Sequence, residues 1–154
     1  MMHKPSQQVA KHFREVFFGG NWTVSNFKDQ LSGVSWTQAT TKHSDLNTIA
    51  TLTYHIGYYV SVALKVYQGE ELNSKDELSF THPTIESQED WEAMVKEILD
   101  NAEKLAGSIE QLPDDQLSED FTDPKYGSYY RNMHGIIEHT YYHLGQIALL
   151  KKLV

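Results

Sequence analysis

The stretch Glu138–Lys152, EHTYYHLGQIALLKK, sets two histidines four residues apart in a run that otherwise reads as apolar helix. At about 100° per residue, with His139 at zero, His143 falls at about 40°, Gln146 at about −20°, Leu150 at about 20° and Ile136 at about 60°. The spacing predicts that these five side chains look inward together. It also puts the two imidazoles about one turn apart, close enough to chelate one ion at roughly 2.0–2.1 Å per nitrogen. The same periodicity predicts a long last helix over Tyr129–Leu153, with Lys151 and Lys152 in its final turn, where they complement the helix dipole.

Working outward, three more long helices are predicted. The first covers Pro5–Phe18, with Ser6 in the opening turn, Val9, Phe13, Val16 and Phe17 on one face, and Gly19-Gly20 as the stop. A connector follows, with a short helical turn around VSNFKDQLSG. The second long helix begins near Asp45 or Asn47, either of which can cap it, and ends at Gly69. Leu46, Ile49, Leu52, Ile56, Val60 and Ala63 form its apolar face. The third starts at Ser87, with Asp90 three positions on, carries Trp91, Met94, Ile98 and Leu105, and stops at Pro113. Strand signals are few. The expected architecture is all-α, a four-helix bundle with long connecting loops, forming one domain over residues 1–154.

Composition narrows the chemistry. The 154 residues include 13 basic against 21 acidic side chains, a formal net charge of −8, and no basic stripe. Nucleic acid and an anionic membrane surface are therefore not expected partners. No run approaches the roughly 20 apolar residues of a membrane span, and the N-terminal segment lacks the apolar region of a signal peptide, so the expected location is the cytoplasm. There is no cysteine. Disulfides, thiolate zinc sites and cysteine nucleophiles are excluded, and any transition metal must be held by histidine and carboxylate.

Eight histidines in 154 residues give an i,i+4 pair by chance with an expectation of roughly 0.4, so the pair needs a third partner. His55, flanked at helical spacing by Leu52, Tyr59 and Val62, can meet the last helix across the bundle. His134 lies about 140° round its helix from His139. His43 and His82 fall in loops, His3 in the N-terminal tail, and His12, at the edge of an apolar face, is held in reserve. Periodicity alone leaves two readings: hydrogen-bonded core histidines, or three ligands of one metal. His139-Thr140-Tyr141-Tyr142-His143 lacks the glutamate that follows the first histidine in zinc metalloproteases; Glu138 precedes it and points elsewhere.

Other residues carry paired readings. Gln146 either orients a ligand or ties helices together. Tyr59, one turn after His55, either lines a cavity or packs. Tyr142 is about 60–100° off the ligand face. Gly145 is expected to admit a neighbouring helix. Trp22, Trp36 and Trp91 are expected as core or loop anchors. Asp114, Asp115, Glu119, Asp120 and Asp123 form an acidic loop without the ligand spacing of a calcium loop, and read as a solvated face. No serine-hydrolase, phosphate-loop or dinucleotide fingerprint is present.

Two segments add to this. TIATLTYHIGYYV (residues 48–60) and HTYYHLGQI (residues 139–147), with the early GGNW (residues 19–22), resemble the DinB (YfiT-like) superfamily over nearly the whole chain. The terminal H-x-x-x-H-x-G-Q-I is the most specific element. The resemblance implies a four-helix bundle holding a divalent metal on His55, His139 and His143, and possession of a homodimeric partner. Members of that superfamily include metal-dependent S-transferases that use bacillithiol or mycothiol, thiol-dependent isomerases and proposed hydrolases.

Three neutral imidazoles leave a bound cation its full charge and at least one open position. Zinc is the expected ion, being redox-inert and receptive to nitrogen, with nickel, iron(II) and manganese as alternatives. Such a site activates either a low-molecular-weight thiol for S-transfer or a water for hydrolysis. The non-enzymatic alternative is a metal-stabilised stress or interaction module.

Overall fold

The computed structural model describes residues 4–154. Six α-helices follow one another: α1 (Pro5–Phe18), α2 (Phe27–Leu31), α3 (Trp36–Thr40), α4 (Ile49–Tyr67), α5 (Gln88–Gln111) and α6 (Tyr129–Leu150). Short 3-10 turns cover Asp76–Phe80, Gln116–Ser118 and Pro124–Tyr126. No strand occurs among the described residues; Asp120 and Ser128 form an isolated antiparallel bridge. No helix among them is long and apolar enough to cross a membrane.

The four long helices are the expected ones. They form a bundle in which α5 packs on α1 and α4, and α6 packs on the other side of the same two helices. Each helix start is chosen by local chemistry. Ser87 and Ser128 accept from the amides three residues on, Asp90 and Arg131. Such caps satisfy donors that the helix itself cannot. For α4 the cap is Thr48, whose hydroxyl accepts from Thr51 N at 3.0 Å. Asp45 and Asn47 do not cap it. Leu46 therefore falls outside the helix and is 50% exposed, not part of the apolar face. The helix α3 was not expected. Ser35 caps it, accepting from Gln38 N, and Gln38 in turn donates to the carbonyls of Lys151 and Val154, tying it to the chain's end.

The core is built from Phe13, Phe17, Phe27, Ile56, Trp91, Leu105, Met133 and Ile147, all essentially inaccessible. Trp91 buries its indole and donates Nε1 to Val34 O at 3.0 Å, which satisfies its one polar atom. Trp36 is half-buried against the core. Trp22 departs from expectation: it is fully exposed, because the loop that carries it is pinned by Asn21, which donates to Glu15 O and Ser25 O. The acidic loop is the expected solvated face, with all five carboxylates exposed, and some of them also make local contacts. Asp114 accepts from the Ser6 hydroxyl at 3.1 Å, and Asp115 and Asp123 start the two 3-10 turns.

Close helix approach is set by Gly57, not Gly145. A Cβ at Gly57 would stand 2.4 Å from Ile98 Cγ1 and 2.6 Å from its Cδ1, so α4 and α5 touch only because that atom is missing. Gly145 is exposed and nothing lies within 4 Å of where its Cβ would be. Its neighbour-free surface removes the reason for expecting a packing role. Gly57→Ala is expected to destabilise by about 1–3 kcal/mol through overpacking. Gly145→Ala is expected to stabilise by about 0.5–1 kcal/mol through helix propensity. Urea unfolding midpoints at unchanged slope measure both.

Candidate metal centre

The three histidines of interest meet at the seam between α4 and α6. His55 Nε2 lies 2.9 Å from His139 Nε2, which lies 3.1 Å from His143 Nε2. Each contributes a nitrogen to one group within 4.8 Å, the only metal-competent group of three or more such side chains among the described residues. His55 and His143 are buried and His139 is half-buried.

The far side of two rings is pinned. The Ser79 hydroxyl donates to Asp76 O, so its oxygen accepts from His55 Nδ1 at 2.7 Å. Gln146 Oε1 accepts from His143 Nδ1 at 2.6 Å. With Nδ1 protonated, Nε2 of both rings carries a lone pair directed at His139. His139 Nε2 can donate to one of them, never to both. Its Nδ1 is buried with no partner. A divalent cation held by His55, His139 and His143 would resolve the conflict by accepting all three lone pairs. Chords of 2.9 and 3.1 Å subtend about 90–100° at an ion roughly 2.0–2.1 Å from each nitrogen, which suits a shell left open on one side. The donor set thus fits a metal ion.

Electrostatics favour the neutral form of His139 and His55. Burial pushes His139 down to about 4, with His143 and then His55 adding to the depression. Burial also lowers His55, helped by His143 and opposed by Asp76. The Tyr59 hydroxyl is pushed up to about 12 by burial first and by its bond to Asp76 second. It therefore stays protonated and donates to Asp76 Oδ1.

The rings face a cavity of about 560 Å³ rather than the centre of the bundle. The deepest side chains of α6 are Met133, Ile137, Thr140, Leu144 and Ile147, centred about 120° from His139. The expectation that His139, His143, Gln146, Ile136 and Leu150 all point to the core is corrected accordingly: Leu150 is buried, while His139, Ile136 and Gln146 are half-buried on the flank. That flank is what leaves the site reachable.

Three contacts come from a segment that periodicity does not flag, Asp76–Phe80. Ser79 holds His55, Asp76 holds Tyr59, and Phe80 stacks on His55 with ring centroids 4.2 Å apart and planes 17° apart. Tyr59 stands edge-on to His55 and His139 at 5.3 and 5.1 Å. Tyr142, given little weight by its helical angle, lies 5.0 Å from His143 at the cavity mouth. The remaining histidines stay apart. His12 packs against His134, ring centroids 5.7 Å apart, and neither joins the cluster. His82 Nδ1 donates to Pro83 O. His43 lies in the turn before α4. His3 lies outside the described residues.

An all-helical bundle with three buried or half-buried histidines on one seam, able to hold a cation beside an accessible cavity, defines the class. The family model described as the DinB superfamily matches residues 21–147, which include all three histidines, and the chain belongs to that superfamily. Neither a curated protein nor a solved structure gives a match.

Two outcomes follow from the geometry. Ser79→Ala frees His55 Nδ1 from its acceptor and is expected to weaken zinc binding about 10–100-fold, read by competition with a chromogenic chelator. For the metal-free protein, His139 sits at about 4 when folded and near its ordinary 6.5 when unfolded. Above 6.5 both states are neutral and the ring has no effect on stability. Between 6.5 and 4 only the unfolded state takes up the proton, so stability falls as pH falls through that window. Melting temperature against pH should show this decline, and His139→Gln should flatten it.

Proposed function

We propose that the chain is a metal-dependent enzyme in which a divalent cation on His55, His139 and His143 activates a low-molecular-weight thiol for S-transfer. The observation that carries the reading is the convergence of three Nε2 atoms, two of them on rings held through Nδ1 by Ser79 and Gln146, on the wall of a cavity of about 560 Å³. Zinc is the first choice of ion, with nickel, iron(II) and manganese as alternatives. When bound, such an ion acidifies a thiol or a water at its open position.

The protein's own groups do the rest. Ser79 and Gln146 fix the ring planes and keep Nδ1 protonated, so that Nε2 is the donating atom. Phe80, Tyr59 and Tyr142 wall the cavity with aromatic surface, which favours the carbon body of a thiol over bare water. No side chain of this protein competes as a thiol, since there is no cysteine. In the transfer the sulfur forms a bond to an electrophilic carbon, the leaving group departs with its electron pair, and the thiol proton goes to solvent.

The test uses zinc-loaded protein with bacillithiol and monochlorobimane. Expected is thiol consumption that a chelator abolishes and that His143→Ala reduces at least about 100-fold. No consumption of any thiol with any of the four metals would overturn the reading. Cleavage of ester or amide substrates under the same metal and His143 dependence would instead support hydrolysis. A thiol acting as substrate also stabilises the fold by about 2.7 kcal/mol at 100 times its dissociation constant. A melt that responds to metal but to no thiol points to a module without catalysis.

A further inference from the structure

The cavity beside the histidines has one Lys or Arg among its lining residues, Arg131. It enters α6 eight residues before His139, about 12 Å along the axis. Its side chain does not stay there. Arg131 Nη1 lies only 3.3 Å from where a Cβ of Gly135 would stand, so the missing side chain lets the guanidinium fold back along the helix. Gly135 is one turn from His139, about 6 Å along the axis and about 40° around it. The cationic end therefore sits beside Gly135, one helical turn before His139 on the same helix.

One N–H meets Glu138 Oε2 at 3.4 Å, with side chains 62% and 66% exposed. Such an exposed pair is weak, and the guanidinium carries five donors in a planar fork suited to a carboxylate. Along this wall run Ile136 and Tyr142, with Phe80 and Tyr126 also lining the space. The lone carboxylate of the lining, Asp76, already accepts from Tyr59. The cavity thus combines aromatic surface, the donor nitrogens of the histidines and one guanidinium.

We propose that the cavity selects an amphipathic small molecule whose head lies at the three histidines and whose far end is a carboxylate received by Arg131, one helical turn away. This rests on the reading of the histidines as a metal site. The formal charge of −8 repels anions in general, so a preference for one must come from a local group.

The experiment titrates zinc-loaded protein with two matched pairs. The first is 4-mercaptobenzoate against 4-methylbenzenethiol. The second, terephthalate against 4-methylbenzoate, offers the metal a carboxylate head in place of sulfur. Within each pair the affinity ratio, compared between native protein and Arg131→Gln, cancels differences in head acidity. Expected is about tenfold tighter binding of the member with the distal carboxylate. The ratio should collapse toward one in Arg131→Gln, be partly kept in Arg131→Lys, and be unchanged in Lys96→Gln on α5. A ratio insensitive to Arg131→Gln, or no binding by either pair, overturns the proposal. Binding by the second pair alone, with the Arg131-dependent ratio, keeps this proposal and counts against the thiol reading.

Discussion

The imidazole edge of His139, held about 3 Å from those of both His55 and His143, is the constraint on which the site is organised. Nitrogen lone pairs at that distance repel unless a proton or a cation lies between them. One proton can serve one contact, and the outer hydrogen bonds of His55 and His143 deny the cluster the tautomers that would supply a second. The bundle maintains this arrangement by rigid means. α4 is pressed onto α5 at Gly57, which fixes where His55 stands. α6 is anchored by Met133, Leu144 and Ile147, which fixes His139 and His143. Burial then lowers His139 and His55 and so favours their neutral forms. A group that cannot take a proton cheaply but offers a lone pair is a good metal donor, so desolvation works in one direction for both effects.

Much of this was legible in the sequence because it follows from helical period. Val9, Phe13, Val16 and Phe17 recur at helical spacing and are all buried, and the i,i+4 pair His139 and His143 needed only one more histidine on a facing helix. What failed was finer than the period. Thr48 caps α4 although Asp45 and Asn47 are equally able in isolation, since the choice depends on where Ile49 and Ala50 must enter the core. Gly145 looked like a packing glycine by its motif, whereas only the partner helix reveals that Gly57 is the one in contact. The face expected to point inward on α6 lies about 100° from the observed core face, because Met133, Ile137, Thr140, Leu144 and Ile147 take the core.

The largest omission is the segment Asp76–Phe80. It lies in a polar loop without periodicity, so nothing local marks it. Its signal is tertiary: Ser79 and Asp76 reach His55 and Tyr59, side chains about 20 residues upstream on a different element. Loops are where positioning groups concentrate, and they are also where hydrophobic patterning is silent. Arg131 was overlooked for a related reason. A basic residue in the first turn of an exposed helix reads as surface, and its bearing on the cavity depends on the empty space above Gly135.

That loop segment also links the three histidines to the cavity. Phe80 stacks on His55 and lines the space a ligand would fill, while Ser79 holds the same ring from its outer nitrogen. The connection between α4 and α5 runs for 20 residues, from Gln68 to Ser87, and closing it costs conformational entropy that local polar contacts alone repay poorly. Phe80 is 38% exposed and Leu78 52% exposed, so apolar burial supplies only part of the return. Ile85 is buried in the core and Lys75 N donates to the Tyr58 hydroxyl, and His55 and Tyr59 add two further anchors. Anything that stiffens those two side chains therefore also favours the observed position of Asp76–Phe80, and the cavity wall and the histidines are ordered through shared contacts.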